Sequence, residues 1–224
     1  MKRTTNIGTA VVLALALLDG CGTVSQLSSV KEHSGKGDYD WIAQQEITCK
    51  AADDGCNQLH LIQGDACYRL AKAGRDAKVR YTCAVNQLET GIAQTTEWQL
   101  DGLDLNRAQT YENLCESVRN LQNLESGAAA DELTRKLVNT SQAFLAVEPG
   151  NLAGIYFLNS ARYTMLRSCL LHPDNCPSLC ANLQAIGKEL DQVMDRAEVS
   201  KYMENFHRLH ADIDGGKKSV PGCR

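Results

Sequence analysis

Three cysteines and one histidine near the carboxyl-terminal end of the chain have a spacing that could hold a metal ion. The four side chains are Cys169, His172, Cys176 and Cys180, in a C-x2-H-x3-C-x3-C pattern. Thiolate and imidazole are the preferred ligands of tetrahedral zinc. In an oxidising compartment the same cysteines would form disulfides, and the histidine would be an ordinary loop residue. We favour disulfides, because ten cysteines in 224 residues are common in exported chains and rare in cytosolic ones.

Other side chains that could do chemistry do not form a recognisable site in the sequence. His207 and His210 are three residues apart on one face of a predicted helix, but no acidic or cysteine partner follows at a fixed spacing. The chain has no G-x-S-x-G nucleophile motif and no acidic pair in an evident cleft. The sequence therefore predicts no catalytic residue, no cofactor and no bound metal, and we expect that the protein is not an enzyme.

Three disulfides can be predicted from the positions of cysteines around helix turns, two of them in the amino-terminal half of the chain and the third between Cys169 and Cys180. Antiparallel helices lie about 8–10 Å apart, and a disulfide needs Cα atoms within about 7 Å of each other. Cys67 and Cys83 are equally far from a predicted turn at position 75. Cys49 and Cys56 flank a predicted break between two helices. Each of these pairs is therefore expected to be bonded.

The cysteines at the carboxyl-terminal end allow two pairing schemes. In the scheme that we prefer, Cys169 bonds to Cys180 across a helix break, and Cys176 bonds to Cys223 and ties down the tail. In the other, Cys169 bonds to Cys176, and Cys180 bonds to Cys223. Cys115 is unpaired in both schemes. It lies in an apolar helical stripe and is expected to be a buried free thiol.

The elements that would position these cysteines are helices. Apolar residues recur at steps of three or four from residue 38 onward, which predicts about eight helices of roughly 15–20 residues. Asn151, after Pro149 and Gly150, is a predicted N-cap. No stretch has the period-two alternation of a strand. We predict an all-α domain over residues 38–212, built of antiparallel helical hairpins in a stacked array or an irregular bundle, and a tail over residues 213–224.

The amino terminus has the features of an export signal. Lys2 and Arg3 precede an apolar run over residues 7–18, which is shorter than the roughly 20 residues that span a bilayer. The following residues, Leu18-Asp19-Gly20-Cys21, resemble the lipobox of bacterial lipoproteins, with Asp19 where that family usually has a small residue. Plain secretion with cleavage near residues 14–16, and retention as a membrane anchor, are the alternatives.

The resemblance to lipoproteins implies how this region would be processed. Residues 1–20 would be a signal peptide, and Cys21 would carry the lipid at the new amino terminus. Gly22 in the next position would favour export to the outer membrane. Residues 21–37 are rich in Ser, Gly and Lys, and this composition predicts a flexible tether between the lipid and the domain.

The helical region is similar to tetratricopeptide-repeat arrays in two places. Gly64, Cys67, Ala77, Tyr81 and Ala84 follow the small-residue and aromatic pattern of one helical pair. Residues 144–151 (FLAVEPGN) resemble the end of one repeat and the start of the next. Together these places cover about a third of the chain beyond Cys21. The resemblance implies an extended concave surface that holds a peptide or a helix.

Charge and composition narrow the functional classes. The chain has 23 basic and 27 acidic residues, a net charge of −4, and lacks the basic footprint of nucleic-acid binding. We expect a lipoprotein, anchored on the periplasmic side of the outer membrane, that acts as a protein-binding scaffold in a secretion, transport or cell-wall assembly complex. Its expected partners are envelope proteins and, through the lipid, the membrane. An envelope enzyme such as a cell-wall hydrolase and a metal- or small-ligand-binding lipoprotein are the alternatives.

Overall fold

The computed structural model describes residues 8–96, 98 and 105–223, with side chains from residue 22 onward. Within these residues the chain forms α-helices joined by turns, without a strand, which confirms the predicted all-α fold. The helices are α1 (Gly8–Gly35), α2 (Tyr39–Ala43), α3 (Cys56–Lys72), α4 (Ala77–Gln94), α5 (Arg107–Asn123), α6 (Gly127–Val147), α7 (Leu152–Leu171), α8 (Leu179–Asp191), α9 (Met194–Ala197) and α10 (Met203–Ser219). A 3-10 turn over Pro173–Asn175 separates α7 from α8.

The chain divides into two compact units, Met1–Thr110 and Tyr111–Arg224. In the first unit α3 and α4 form a helical hairpin, and α1 and α2 pack against α3. The hairpin turn contains Gly74 with a φ of 78°, a left-handed conformation that glycine adopts without strain. Buried side chains from three of these helices, Val30, Ile42 and Leu59 among them, form a common apolar cluster.

The predicted flexible tether is wrong for residues 22–35, which belong to α1. Thr23 and Val30 are buried, and Leu27 packs against the apolar cluster of the first unit. These three side chains are spaced four and three residues apart, so they lie on one face of a helix. The Ser- and Gly-rich composition concealed this stripe, because the residues between the three contacts face solvent and can be small or polar.

The second unit is built around α7, which contacts α6, α8 and α10. Its fully buried side chains include Phe144, Leu183, Leu190 and Phe206. Asn151 caps α7 as the sequence predicts, since its Oδ1 accepts hydrogen bonds from the backbone N–H groups of the second and third residues of the helix, Ala153 and Gly154 (2.9 and 3.3 Å). This cap fixes the start of the helix on which most of the unit packs.

The prediction that residues 213–224 form a tail is wrong for residues 213–219, because α10 continues to Ser219. Phe206, Leu209, Ile213 and Gly216 are all buried and follow one another at helical spacing, so the apolar face continues through the Asp214-Gly215-Gly216 segment. A Cβ added at Gly216 would lie 3.5 Å from the Leu183 side chain on α8. Close packing against α8 therefore keeps residues 213–219 helical despite the two glycines.

Candidate functional site

In the part of the chain that the structure describes, four disulfide bonds join the eight cysteines predicted to pair. They are Cys49–Cys56, Cys67–Cys83, Cys169–Cys176 and Cys180–Cys223, with Cα–Cα distances between 5.4 and 5.9 Å. The bond between Cys67 and Cys83 links α3 to α4, and the bond between Cys180 and Cys223 holds the end of the chain against the start of α8. The bonds therefore fix the hairpin of α3 and α4, the loop that follows α7, and the segment that follows α10.

The first of the two schemes for the carboxyl-terminal cysteines, with Cys169 bonded to Cys180 and Cys176 to Cys223, is wrong. That scheme assumes a tight, symmetric turn between α7 and α8. The chain instead makes the 3-10 turn over Pro173–Asn175, which returns Cys176 to within 5.7 Å of Cys169, measured between Cα atoms. All three cysteines of the C-x2-H-x3-C-x3-C pattern are thus disulfide-bonded, and the His172 side chain is exposed.

Cys115 is fully buried and has a free thiol, as expected. Its Sγ lies 3.7 Å from the hydroxyl oxygen of Ser141 on α6. Burial raises the pKa of the Cys115 thiol to about 12, because the thiolate would lose its hydration without gaining a cation. A thiol that stays protonated and inaccessible has little nucleophilic or metal-binding capacity.

The histidines do not form a shared site. His207 and His210 each have a carboxylate neighbour, since the Nε2 atoms lie 2.7 Å from Glu198 and 2.8 Å from Asp191, respectively. His60 lies beside Cys49 and Cys56, with the three ligand atoms within 4.8 Å of one another. The two sulfur atoms are bonded to each other, so neither is a thiolate that could bind zinc.

A polar pocket of about 250 Å³ lies in the second unit between α5, α7 and α10. Its lining consists of three arginines, four hydroxyl side chains, one amide, one carboxylate and one leucine: Arg119, Arg167, Arg208, Tyr156, Ser160, Tyr163, Thr164, Asn205, Asp212 and Leu209. Three guanidinium groups and one carboxylate give the pocket a net positive charge, although the whole chain has a net charge of −4. Convergent polar groups in a concave site are typical of ligand binding.

Arg119 is held in place at the buried side of this pocket. One of its terminal nitrogens donates a hydrogen bond to the Ser160 hydroxyl (2.6 Å), and its guanidinium carbon lies 4.9 Å from the centre of the Tyr156 ring. Burial raises the pKa of Tyr156, and the positive charges of Arg119 and Arg208 oppose that shift. The phenol therefore stays protonated at neutral pH, where it offers a hydrogen-bond donor.

The outer part of the pocket is more exposed. Arg167 and Arg208 are exposed and form no ion pair with any residue that the structure describes. The Tyr163 hydroxyl donates a hydrogen bond to the carbonyl oxygen of Asp212 (3.2 Å), which joins α7 to α10 across the pocket. Burial and the negative charge of Asp212 raise the pKa of Tyr163, opposed by Arg167.

Sequence reasoning missed this pocket because its arginines come from three different helices. Arg119 is on α5, Arg167 on α7 and Arg208 on α10, and at least 40 residues of sequence lie between each arginine and the next. Nothing in the local pattern distinguishes them from ordinary exposed arginines. Only the packing of the second unit brings them together.

A second depression, of about 420 Å³, lies between α7 and α8. Met165, Leu166 and Ile186 form its apolar floor, and the ion pair between Arg162 and Glu189 (3.0 Å) lies at its edge. Met165 is 52% exposed. An apolar centre with a charged rim is the usual anatomy of a protein-binding surface.

Comparison with models of protein families, with curated proteins and with solved structures gave no match. Within the part of the chain that the structure describes, no helix has both the length and the hydrophobicity to cross a bilayer.

Proposed function

We propose that this protein is a lipoprotein, anchored through Cys21 to the periplasmic side of the outer membrane, where it acts as a protein-binding scaffold in an envelope complex. The observation that carries the proposal is the set of four disulfides. Structural disulfides form and persist in oxidising compartments and are rare in the cytosol. An export signal is therefore the expected role of the basic and apolar residues at the amino terminus.

Cysteine pairing also supports lipidation. Nine cysteines follow Cys21 in the sequence; eight of them are bonded to one another, and the ninth, Cys115, is a buried free thiol. No accessible thiol in the described residues is left to pair with Cys21. The resemblance of the preceding residues to a lipobox then assigns Cys21 the lipid.

The depression between α7 and α8 is the surface that we assign to the protein partner. Its apolar floor of Met165, Leu166 and Ile186 would accept apolar side chains of the partner, and Arg162 and Glu189 would contact the polar edge of that segment. Both helices are fixed by disulfides, at Cys169 on α7 and Cys180 on α8. A surface on two fixed helices loses little conformational entropy on binding.

A second candidate function, small-ligand binding by the same lipoprotein, is favoured by the arginine-lined pocket of the second unit. The two functions are compatible, because the pocket and the depression use different faces of α7. An envelope enzyme remains the alternative of a different class.

The anchor is tested by metabolic labelling with radioactive palmitate and by membrane fractionation. We expect label on the protein, its loss in Cys21→Ser, and release of that variant from the outer-membrane fraction. Gly22→Asp is expected to keep the label and move the protein to the inner membrane; a Cβ at Gly22 meets nothing within 4 Å, so the fold should be unaffected. Labelled Cys21→Ser protein would contradict the proposal.

The scaffold role is tested by site-specific photo-crosslinking in the cells that make the protein. A photo-crosslinking residue at Met165 should give one discrete crosslinked partner. The same residue at Val199, which is apolar and 91% exposed but outside the depression, is the matched control. Equal crosslinking at both positions, or none at Met165 in the anchored protein, would contradict the assigned surface.

A further inference from the structure

We propose that the pocket between α5, α7 and α10 binds a small phosphate-bearing ligand of the phosphomonoester class through Arg119, Arg167 and Arg208. This inference is independent of the protein-binding role, because it concerns another cavity and another kind of ligand. It rests on the charge of the pocket, on its fixed geometry and on its size.

Charge selects an anion. Three arginines and a single acidic residue, Asp212, line the pocket. Arg167 and Arg208 have no carboxylate partner within the described residues, although exposed arginines commonly form ion pairs with neighbouring acidic groups. The planar N–H fork of arginine matches two oxygens of a phosphate or a carboxylate.

The number of arginines favours phosphate over carboxylate. A phosphomonoester carries about −1.5 to −2 charges at pH 7 and three acceptor oxygens, so it can use all three guanidinium groups at once. A carboxylate has two oxygens and one charge and would leave one arginine unpaired. The hydroxyl of Ser160 and the amide of Asn205 can donate to the phosphate oxygens as well. The hydroxyls of Tyr163 and Thr164 already donate to the backbone carbonyl oxygens of Asp212 and Ser160.

The buried side of the pocket is fixed before the ligand arrives. Arg119 is held by its hydrogen bond to Ser160 and by its position over Tyr156. Its remaining N–H donors are therefore positioned without further loss of side-chain entropy. Arg167 and Arg208 are exposed and would close over the phosphate from the outside.

The size and lining of the pocket restrict the rest of the ligand. At about 250 Å³ the pocket is smaller than the roughly 300–1,000 Å³ sites that hold drug-sized molecules. Leu209 is the single aliphatic side chain among the lining residues. A phosphate on a short polar chain, such as a phosphorylated polyol, fits these limits, whereas an extended apolar group does not.

Removal of the Asp212 charge should strengthen phosphate binding, whereas removal of an arginine should weaken it. Asp212 lines the pocket, and its negative charge acts on the neighbouring Tyr163, so it would repel a phosphate dianion. Asp212→Asn keeps the size of the side chain and removes the charge, and the bond from Tyr163 is made to the backbone carbonyl of Asp212, which the substitution leaves in place. This variant should bind the anion more tightly than the original chain.

The test is isothermal titration calorimetry of the full chain in non-ionic detergent, at pH 7.5 and constant ionic strength. The probes are inorganic phosphate and glycerol 3-phosphate, with succinate and the phosphodiester glycerophosphocholine as comparators. We expect saturable 1:1 binding of both phosphate probes and weaker or undetectable binding of the comparators. Arg167→Gln and Arg208→Gln should each weaken glycerol 3-phosphate binding about tenfold, and Asp212→Asn should strengthen it several-fold.

The matched control is Arg135→Gln. Arg135 is an exposed arginine on α6 in the same unit and is paired with Glu132 (2.7 Å). Its substitution changes the net charge of the chain by the same amount as the substitution of Arg167 or Arg208. It should leave binding unchanged. Circular dichroism melting checks that each variant is folded, which is expected because the substituted arginines are exposed. Equal effects of Arg135→Gln and Arg208→Gln, binding of succinate or the phosphodiester as tightly as glycerol 3-phosphate, or no saturable binding of either phosphate probe would overturn the inference.

Discussion

Leu88 on α4 packs directly onto the backbone of Gly64 on α3. A Cβ added at Gly64 would lie 2.7 Å from both Cγ and Cδ2 of Leu88 and 3.0 Å from its backbone nitrogen. The reciprocal contact exists between Gly91 and Leu61, with distances of 2.6 to 3.0 Å. Both leucines are fully buried. The two helices therefore approach so closely that neither glycine position has room for a side chain.

Gly64→Ala is expected to destabilise the protein. The added methyl would overlap Leu88 and its backbone, and backbone atoms cannot move aside as the end of a flexible side chain can. Overpacking of this kind costs about 1–3 kcal/mol, and the better helix propensity of alanine returns up to about 1 kcal/mol. We expect the free energy of unfolding, measured by urea denaturation, to fall by about 1–2 kcal/mol.

Gly215→Ala is the matched control for that prediction. Gly215 lies inside α10, and a Cβ there meets nothing within 4 Å. The same substitution should therefore raise the free energy of unfolding by up to about 1 kcal/mol through helix propensity alone. If both substitutions changed the free energy of unfolding in the same direction, close packing of α3 on α4 would not determine the effect of Gly64→Ala.

Loss of the Asn151 side chain should weaken the start of α7. Its Oδ1 accepts hydrogen bonds from the N–H groups of Ala153 and Gly154, which have no partner within the helix. Asn151→Ala is expected to lower the free energy of unfolding by about 1 kcal/mol. Ser126 precedes α6 in the same position but forms no side-chain cap bond, so Ser126→Ala should change stability much less in the same denaturation experiment.

Periodicity and turn chemistry predicted the parts of the fold that depend on neighbouring residues. The helical spacing of apolar side chains gave the all-α architecture, and the Pro149-Gly150-Asn151 sequence gave the cap of α7. The pairing of Cys67 with Cys83 followed from their symmetry about one turn. Each of these inferences uses interactions within one hairpin, where sequence distance and spatial distance are simply related.

The features that sequence reasoning missed depend on packing between distant elements. Residues 22–35 looked like a linker because their apolar stripe has only three members, and α10 looked finished at Gly215 and Gly216 because glycine commonly ends helices. Contacts with the cluster at Ile42 and with Leu183 on α8 keep these segments helical. The arginine pocket combines α5, α7 and α10, and no local pattern predicts which arginines of three helices will meet.

Disulfide mapping separates the two pairing schemes at the carboxyl terminus. Trypsin alone cannot do so, because Cys169, Cys176 and Cys180 lie on one tryptic peptide. Additional cleavage by chymotrypsin after Leu179 separates Cys176 from Cys180. Under non-reducing conditions we expect the peptide with Cys180 to remain joined to residues 219–224. A peptide joining Cys176 to Cys223 would contradict the connectivity of the structure.

Cys115 should be unreactive in the folded protein. The thiol is buried and its pKa is raised from 9.0 to about 12, so at pH 8–9 it is both protonated and inaccessible to iodoacetamide. Without reductant, we expect no alkylation of Cys115 in the native chain and complete alkylation in urea, with the site identified by peptide mass. Labelling of the native chain at the rate found in urea would contradict the burial of this side chain.

The same thiol makes a defined contribution to the pH dependence of stability. Because the pKa of Cys115 is higher in the folded protein than in the unfolded one, the folded state binds more protons between about pH 9 and 12. The contribution is fully present below pH 9 and is lost as the pH rises toward 12. Cys115→Ala should therefore lose less stability than the original chain between pH 8 and 10.5, as measured by urea denaturation. Because tyrosines and lysines titrate in both chains, their effect on the free energy of unfolding cancels in the comparison. Parallel dependences of that free energy on pH would contradict the raised pKa of Cys115.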